Sequence, residues 1–447
     1  MRRSVDPGRE RVWRSAWILT VAGEPLRDGA LVVRDGRVAQ VGPAAAVLRD
    51  NPGVPVEDRG DEIIAPGFVD AHCHLEWSLL DGLLPPAGFA EWLGALLPLR
   101  MRMLSGDYAT AARLGALRAL EAGTTTLADS GPTGAGAAAL AESGLRGLIH
   151  LEAFGRETGA QAVAAAARTA EGVAALDAAV GPRGRAGVSP HAPYTVGPDL
   201  WAALRAHPGL SGRPWATHLA ESADEESVIA DGDGPLGALF AGAGLTPGRW
   251  DGPAGAGPVA RVTAAGVTAA GLVAAHCVRL GDDDPATLAR AGIGVAHCPR
   301  SNDHLRCGRA PLEALRAAGV AVGLGTDSPA SGGDYDLRAE ARACRDAHAG
   351  RLTLDDDALL RLITIDAARV LGLHGEVGHL TTGARADLTA LLPAGRVTDP
   401  RAAVLDAATT VRTVVVDGEV LLRDGAPTRV DAADIRARAA EARGRLC

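Results

Sequence analysis

Between about position 66 and about position 373 the chain alternates short apolar runs with stretches of helical period rich in Ala, Leu, Arg and Glu, and nothing else constrains its fold as strongly. Eight such runs can be counted, at 68–71, 124–128, 145–151, 186–188, 215–217, 272–275, 293–296 and 321–324. Helical stretches are clearest over 108–122, 161–178, 285–291, 311–318 and 355–371. Eight strand and helix repeats predict an α/β fold, a (β/α)8 TIM-like barrel, whose functional side chains stand at the C-terminal ends of its strands. The Gly- and Pro-rich segment 231–257 has little periodicity and reads as a loop between the fifth and sixth strands.

Several runs share an ending. Ile64 to Ser78 reads IAPGFVDAHCHLEWS, where a Pro66-Gly67 turn leads into an apolar run that closes on His72, Cys73 and His74. Side chains alternate along a strand, so His72 and His74 face the same side. Downstream, PWATH closes on His218, LVAAH on His276, IGVAH on His297 and VAVGLGTD on Asp327. Imidazoles converging at the mouth of a barrel make a metal site the first hypothesis, because neutral imidazole is the commonest protein metal ligand. Six cysteines without paired spacing indicate neither a disulfide framework nor a thiolate zinc site, and Cys73, Cys277 and Cys298 read as small buried fillers. The chain has no lysine, which excludes a Schiff-base lysine, a phosphate-loop lysine and a carboxylated lysine bridging two metals.

The two ends carry a second pattern. Strand-like stretches at 12–21 and 30–41, the latter interrupted by Asp35-Gly36, are echoed at 410–422 around Asp417-Gly418, and Asp-Gly between apolar runs is a hairpin signal. The expectation is a small β-sandwich built from both termini, residues 1–65 with 379–447, beside a barrel over 66–378. A content of 47 % hydrophobic and 22 % charged residues describes a globular chain with ample core. A net charge of −9, no basic block, three Tyr and four Phe lack the footprint of a nucleic-acid binder. No run approaches membrane-spanning length, and the basic start has neither an adequate apolar core nor a cleavage site, so a cytoplasmic protein without a membrane partner is the default expectation.

Seven pieces of the chain occur together and in one order: APGFVDAHCHLE, SPHAPYTV (189–196), THLAES (217–222), AHCV (275–278), AHCPRSN (296–302), GTDSPAS (325–331) and GHLTTGARADL (378–388). In these the chain resembles the amidohydrolase superfamily over nearly its full length. Within it, the likeness is to the branch of S-adenosylhomocysteine/methylthioadenosine deaminases, chlorohydrolases and related heterocycle deaminases. The resemblance implies a metal-dependent hydrolase acting on a non-peptide C–N bond, with His72, His74, His218 and Asp327 as metal ligands and Glu221 and His276 as the proton-handling pair. The chemistry asks for the same set, since three imidazoles and a carboxylate leave a divalent ion, zinc or iron, a position at which the pKa of water falls to roughly 7. Glu221 would shuttle a proton as general acid and base, His276 would hold the attacking water, and Asp327 would ligate and accept a proton. Two metals would need a bridging group that the missing lysine cannot supply, so one ion per chain is expected.

The substrate expected is a small heterocycle of aminopurine-nucleoside type. His191, ending the fourth strand, looks substrate-facing by resemblance. Adenosine-type deaminases of this branch place a ribose-reading Glu where FAEWLGALLPLRMR (89–102) places Arg100, and a cation there favours a substrate bearing a carboxylate. That segment, HLEWS after the first strand and Glu152 after the third also resemble the aminodeoxyfutalosine deaminases, whose substrate is an adenine nucleoside carrying a benzoate. The alternatives are an S-adenosylhomocysteine/methylthioadenosine or guanine-type deaminase, a cyclic amidohydrolase or chlorohydrolase, and a non-catalytic binding relative, although such relatives typically lose ligands that are all present here. Enzymes on this scaffold often self-associate, so a homo-oligomer is compatible. His297 reads as a barrel-layer or supporting residue, Ser301 and Asn302 as fixing the loop after the seventh strand. The remaining histidines, His150, His207, His304, His348, His374 and His379, read as structural.

Overall fold

A computed structural model describes residues 10–245, 250, 257–264, 266 and 271–447. The eight apolar runs form eight parallel strands, Phe68–Cys73, Thr124–Gly131, Arg146–Ala153, Gly184–Pro190, Trp215–Leu219, Leu272–His276, Gly294–His297 and Val322–Leu324, hydrogen-bonded in chain order. Six of them are buried along their whole length, as strands enclosed by a ring of helices must be.

The seam between the first and eighth strands is short. It consists of one bridge between Cys73 and Asp327, with the Asp327 amide donating to the His72 carbonyl (3.0 Å) and the His74 amide donating to the Asp327 carbonyl (3.2 Å). Below it the carboxylate of Asp70 accepts from the Thr326 amide (3.0 Å) and hydroxyl (2.6 Å) and from the His72 amide (3.3 Å). Gly325 is required for this approach, because a Cβ there would lie 2.7 Å from the His72 carbonyl oxygen.

Both chain ends form one nine-stranded mixed sheet. The N-terminal strands Glu10–Ile18, Leu26–Arg34, Arg37–Pro43, Val56–Asp58 and Ile63–Pro66 join the C-terminal strands where Leu388–Leu392 pairs antiparallel with Ile63–Pro66. Asp35 and Gly36 have φ of 50° and 75°, and Asp417 and Gly418 have 49° and 76°, the left-handed pairs that a two-residue hairpin matched to strand twist requires. Trp13, Ile18, Leu31, Val33, Leu388 and Val415 are buried together in the core of this module.

Three stretches depart from the sequence reading. Segment 231–257 is not simply a loop: Gly234–Gly242 is a helix with Pro235 in its first turn and Leu236 and Phe240, four apart, buried on one face. Two turns rich in Gly are too short to show a period. Residues 246–249 and 251–256 of that segment, and 1–9 at the start of the chain, lie outside the described residues. The single helix expected over 355–371 is two, Asp356–Leu362 and Ile365–Val370, and the break lets the Ile363 carbonyl accept from the Val69 amide of the first barrel strand (2.8 Å). Helix Ala432–Gly444, near the end of the chain, packs on barrel helix Ser105–Glu121 instead of extending the terminal sheet.

Arg146, at the start of the third barrel strand, ties barrel to terminal sheet. Its guanidinium donates to Asp387 (2.8 Å) and Asp417 (2.6 Å), and Arg183 donates to Asp417 from the same side (3.0 Å). Asp387 is 1 % exposed, so removing its partner leaves a buried charge uncompensated. Arg146→Ala is expected to destabilise the protein by about 3–5 kcal/mol, read as a lower urea midpoint, whereas Arg113→Ala, which breaks an exposed pair with Glu142, is expected to cost no more than about 1 kcal/mol.

Candidate functional site

The first strand carries His72 and His74 to the barrel mouth with ring centroids 4.7 Å apart. The fifth strand brings His218, the sixth His276, and the turn after the eighth Asp327, all buried. His276, Cys277, Asp327 and Ala220 adopt φ between 47° and 71°, an unusual backbone for residues other than Gly. Hydrogen bonds hold these turns, for example Cys277 amide to Leu219 carbonyl (3.1 Å) and Val278 amide to Ala220 carbonyl (2.8 Å).

Hydrogen bonding decides the ring tautomers. His74 Nδ1–H donates to the Ser130 carbonyl (2.7 Å) and His218 Nδ1–H to the His191 carbonyl (2.8 Å). Each ring therefore presents an Nε2 lone pair, and the two Nε2 atoms face each other at 3.1 Å. Lone pairs at that separation repel unless a proton or cation lies between them. Asp327 Oδ1 is 3.3 Å from His74 Nε2 and 3.6 Å from His72 Nε2, and His72 Nε2 is buried without a hydrogen-bond partner among the described residues. Bonds of about 2.0–2.2 Å at tetrahedral angles place ligand atoms about 3.3–3.6 Å apart. The donor set thus fits one divalent ion, and all four donor atoms lie within 4.8 Å of one another. Asp327 Oδ2 turns away to accept from Ser301 (2.5 Å) and Ser331 (2.9 Å).

Glu221 Oε1 lies 3.6 Å from His276 Nε2. Burial pushes the Glu221 carboxyl up to about 7 despite His276 opposing it. On His276, burial acts downward but is outweighed by Glu221 and Asp327, and the net shift is upward. The Glu221 turn is clamped by Glu225, whose carboxylate accepts from the Ala220 (3.1 Å) and Glu221 (2.6 Å) amides.

These groups floor a cavity of about 250 Å³ walled by Trp77, Phe89, Trp92, Leu96, Phe154, Tyr194 and Phe240. His191, Arg100 and Glu152 all line it. The His191 ring stacks on Phe154 with centroids 4.7 Å apart, its Nδ1 is 2.8 Å from the Thr195 hydroxyl, and its carbonyl orients His218. Arg100 comes from helix Phe89–Arg102, with its guanidinium 5.5 Å from the Trp77 ring centroid and 5.6 Å from that of Phe154. Burial and the charge of Glu76 raise the Glu152 carboxyl to about 8, against the pull of Arg100. Every site residue expected from the sequence except His72 lines this cavity, and His72 stands next to it with its Nε2 3.6 Å from Asp327 Oδ1. His297 does not line it and sits behind Asn302, whose side chain contacts both His276 (2.9 Å) and His297 (3.5 Å). Asp70, Glu225, Ser301 and Ser331 also support the site, although the pattern of strand endings does not mark them as site residues. A carboxylate inside an apolar run two positions before His72 was a legible signal for Asp70; the serines and Glu225 show their role only through contacts.

A model of the amidohydrolase family matches residues 63–421. The chain is 32 % identical over 448 residues to the 5-methylthioadenosine/S-adenosylhomocysteine deaminase of Symbiobacterium thermophilum, covering 96 % of each. Its structure is similar to that of an adenosine deaminase of Xanthomonas campestris with bound zinc, with a TM-score of 0.84, 25 % identity and 98 % of both chains covered. A likeness of fold extends to Helicobacter pylori aminofutalosine deaminase in complex with methylthio-coformycin, with a TM-score of 0.78 at 19 % identity over 92 % of this chain and 100 % of that one.

Ser301→Ala removes one of the two hydroxyls that aim Asp327. Zinc affinity is expected to fall about 10- to 100-fold, measured by competition with a chromogenic chelator.

Proposed function

Because the chain belongs to the amidohydrolase family, we propose that it hydrolytically deaminates an amino-substituted N-heterocycle, releasing ammonia, with one divalent ion, zinc or iron, held by His72, His74, His218 and Asp327. The observation that carries this reading is Glu221, a buried carboxyl able to hold or release a proton near neutrality, beside His276 at the edge of the metal-ligating set. The naming of the full-length relatives as deaminases supports it.

The ion supplies Lewis acidity, which makes water a source of hydroxide near neutral pH. The rest falls to the side chains. An aromatic C–NH2 carbon resists attack until its ring nitrogen is protonated, and Glu221 delivers that proton. His276 Nε2, which has no hydrogen-bond partner among the described residues, orients the attacking water. Asp327 takes the proton of the water as the C–O bond forms. Asp327 then returns that proton to the amine, the C–N bond breaks and ammonia leaves, while the hydroxyl proton of the collapsing adduct passes to Glu221 as the C=O bond forms, restoring its carboxyl. The aromatic wall stacks the heterocycle and excludes bulk water, which keeps Glu221 in surroundings where a neutral acid survives at pH 7.

The same cavity supports a substrate class. Arg100 has no hydrogen bond or ion pair from its guanidinium among the described residues, and it lies near two aromatic rings inside the cavity. We infer an aminopurine nucleoside with a carboxylate on its far end. Aminodeoxyfutalosine and S-adenosylhomocysteine both fit, whereas adenosine and 5-methylthioadenosine carry no such group. A cyclic amide or a chlorinated ring remains the alternative on this scaffold, separated by assaying ammonia.

Glu221→Gln is expected to lower kcat about 100- to 10,000-fold in an ammonia-release assay, with zinc content retained; full activity would remove Glu221 from the reaction. Arg100→Leu is expected to raise KM for carboxylated nucleosides by about 10- to 100-fold, the worth of a hydrogen bond to a charged group, and to leave 5-methylthioadenosine unchanged. An equal effect on both substrate types would exclude the carboxylate contact.

A further inference from the structure

Behind His276 a line of buried polar side chains leads away from the cavity to the surface. His276 Nδ1 meets Asn302 Oδ1 at 2.9 Å, Asn302 Nδ2 meets His297 Nδ1 at 3.5 Å, His297 Nε2 meets His348 Nε2 at 3.5 Å, and His348 Nδ1 meets Arg309 Nη1 at 2.8 Å. Asn302, His297 and His348 are no more than 1 % exposed, while the Arg309 side chain is 23 % exposed and also donates to Glu313 (3.0 Å).

The direction of this chain can be worked out from its outer end. A guanidinium only donates, so His348 Nδ1 accepts. Burial lowers the proton affinity of His348 and holds His297 near 3, so both rings are neutral and carry one proton each. The proton of His348 is then on Nε2 and points at His297 Nε2, which accepts. The proton of His297 is on Nδ1 and points at Asn302. It must meet the amide oxygen, which turns the amide NH2 toward His276 Nδ1. This is the reverse of the orientation with Oδ1 on His276, and because amide oxygen and nitrogen have the same shape, the turned amide occupies the same space. In the flipped arrangement the chain would end with two N–H groups opposed at 2.8 Å between His348 and Arg309.

We propose that Arg309, acting through His348, His297 and Asn302, is a positioning residue that holds His276 as the Nε2–H tautomer, with its proton directed at Glu221 and the reacting atoms. The proposal rests on the reading of His276 as part of the deaminase site, and it assigns that ring a donor role toward the oxygen of the attacking water. It also accounts for the trio His297, Cys344 and His348, whose donor atoms lie within 4.8 Å of one another. With His348 Nδ1 accepting from Arg309, His348 Nε2 is protonated and cannot ligate, so the trio is not a second metal site.

The test is long-range 1H–15N correlation on the zinc-loaded, 15N-histidine-labelled protein, with the His276 ring assigned by its loss in His276→Gln. The expected result is one ring proton, on Nε2. Arg309→Met is expected to shift His276 partly or wholly to Nδ1–H and to lower kcat about tenfold with KM unchanged. Arg309→Lys, also a pure donor, is expected to restore the native tautomer. Asn302→Asp, whose carboxylate accepts from both rings, is expected to place the proton on Nδ1. A native His276 protonated on Nδ1, an Arg309→Met protein with the native tautomer, or a second tight zinc equivalent lost in Cys344→Ser would each overturn the proposal. None of these ring signals depends on turnover, so failure of the deaminase reading would appear separately, as absence of ammonia release.

Discussion

The seam where the first barrel strand meets the eighth is the contact on which the rest depends. Two backbone hydrogen bonds join His72 and His74 to Asp327, so the act of closing the barrel also brings two imidazoles against a carboxylate. Gly325 permits the approach and Asp70 fastens it from below. A barrel left open by one residue at that seam would separate the donor atoms by more than any metal–ligand bond can span. Closure of the fold and assembly of the cluster are one event, and this makes the site stiff without further bracing.

Stiffness alone would leave a set of mutually repelling groups. Three imidazoles and several carboxyl groups are buried within one cavity, where desolvation opposes charge on each. The arrangement is resolved by sorting. The His74 and His218 rings are turned lone pair inward by the Ser130 and His191 carbonyls, Asp327 is held as an anion against its burial by the imidazoles of His72, His276 and His74 while accepting from two serine hydroxyls, and Glu221 and Glu152 are raised toward neutrality. Groups of the same chemical type thereby take different protonation roles according to what surrounds them. The layer behind the cavity continues the sorting, since a surface guanidinium that can only donate sets the sense of every hydrogen bond between it and His276.

Much of this was legible in the chain itself. All eight barrel strands, both Asp-Gly hairpins and every residue expected to ligate a metal or handle a proton fall where apolar runs and their polar endings put them. What was illegible shares a cause. The helix Gly234–Gly242 and the break at Ile363 depend on a cavity wall and on a hydrogen bond to Val69, neither of which has a local period. Ser301, Asn302, Glu225 and Arg309 look like ordinary loop or helix residues until the fold puts a specific partner opposite each. His297 ends its strand in the same grammar as His218 and His276, yet it belongs to the supporting layer.

The order of residues by itself determined which side chains stand at strand ends, because alternation and helical period are properties of neighbours in the chain. It determined the chemistry available there as well: imidazole, carboxylate and no lysine. Only the tertiary structure decided which of those ends converge on one point, which tautomer each ring holds and which carboxyl groups stay neutral. Those depend on distances between residues up to 256 positions apart, such as Asp70 and Thr326, and on how much water the closed barrel leaves around them.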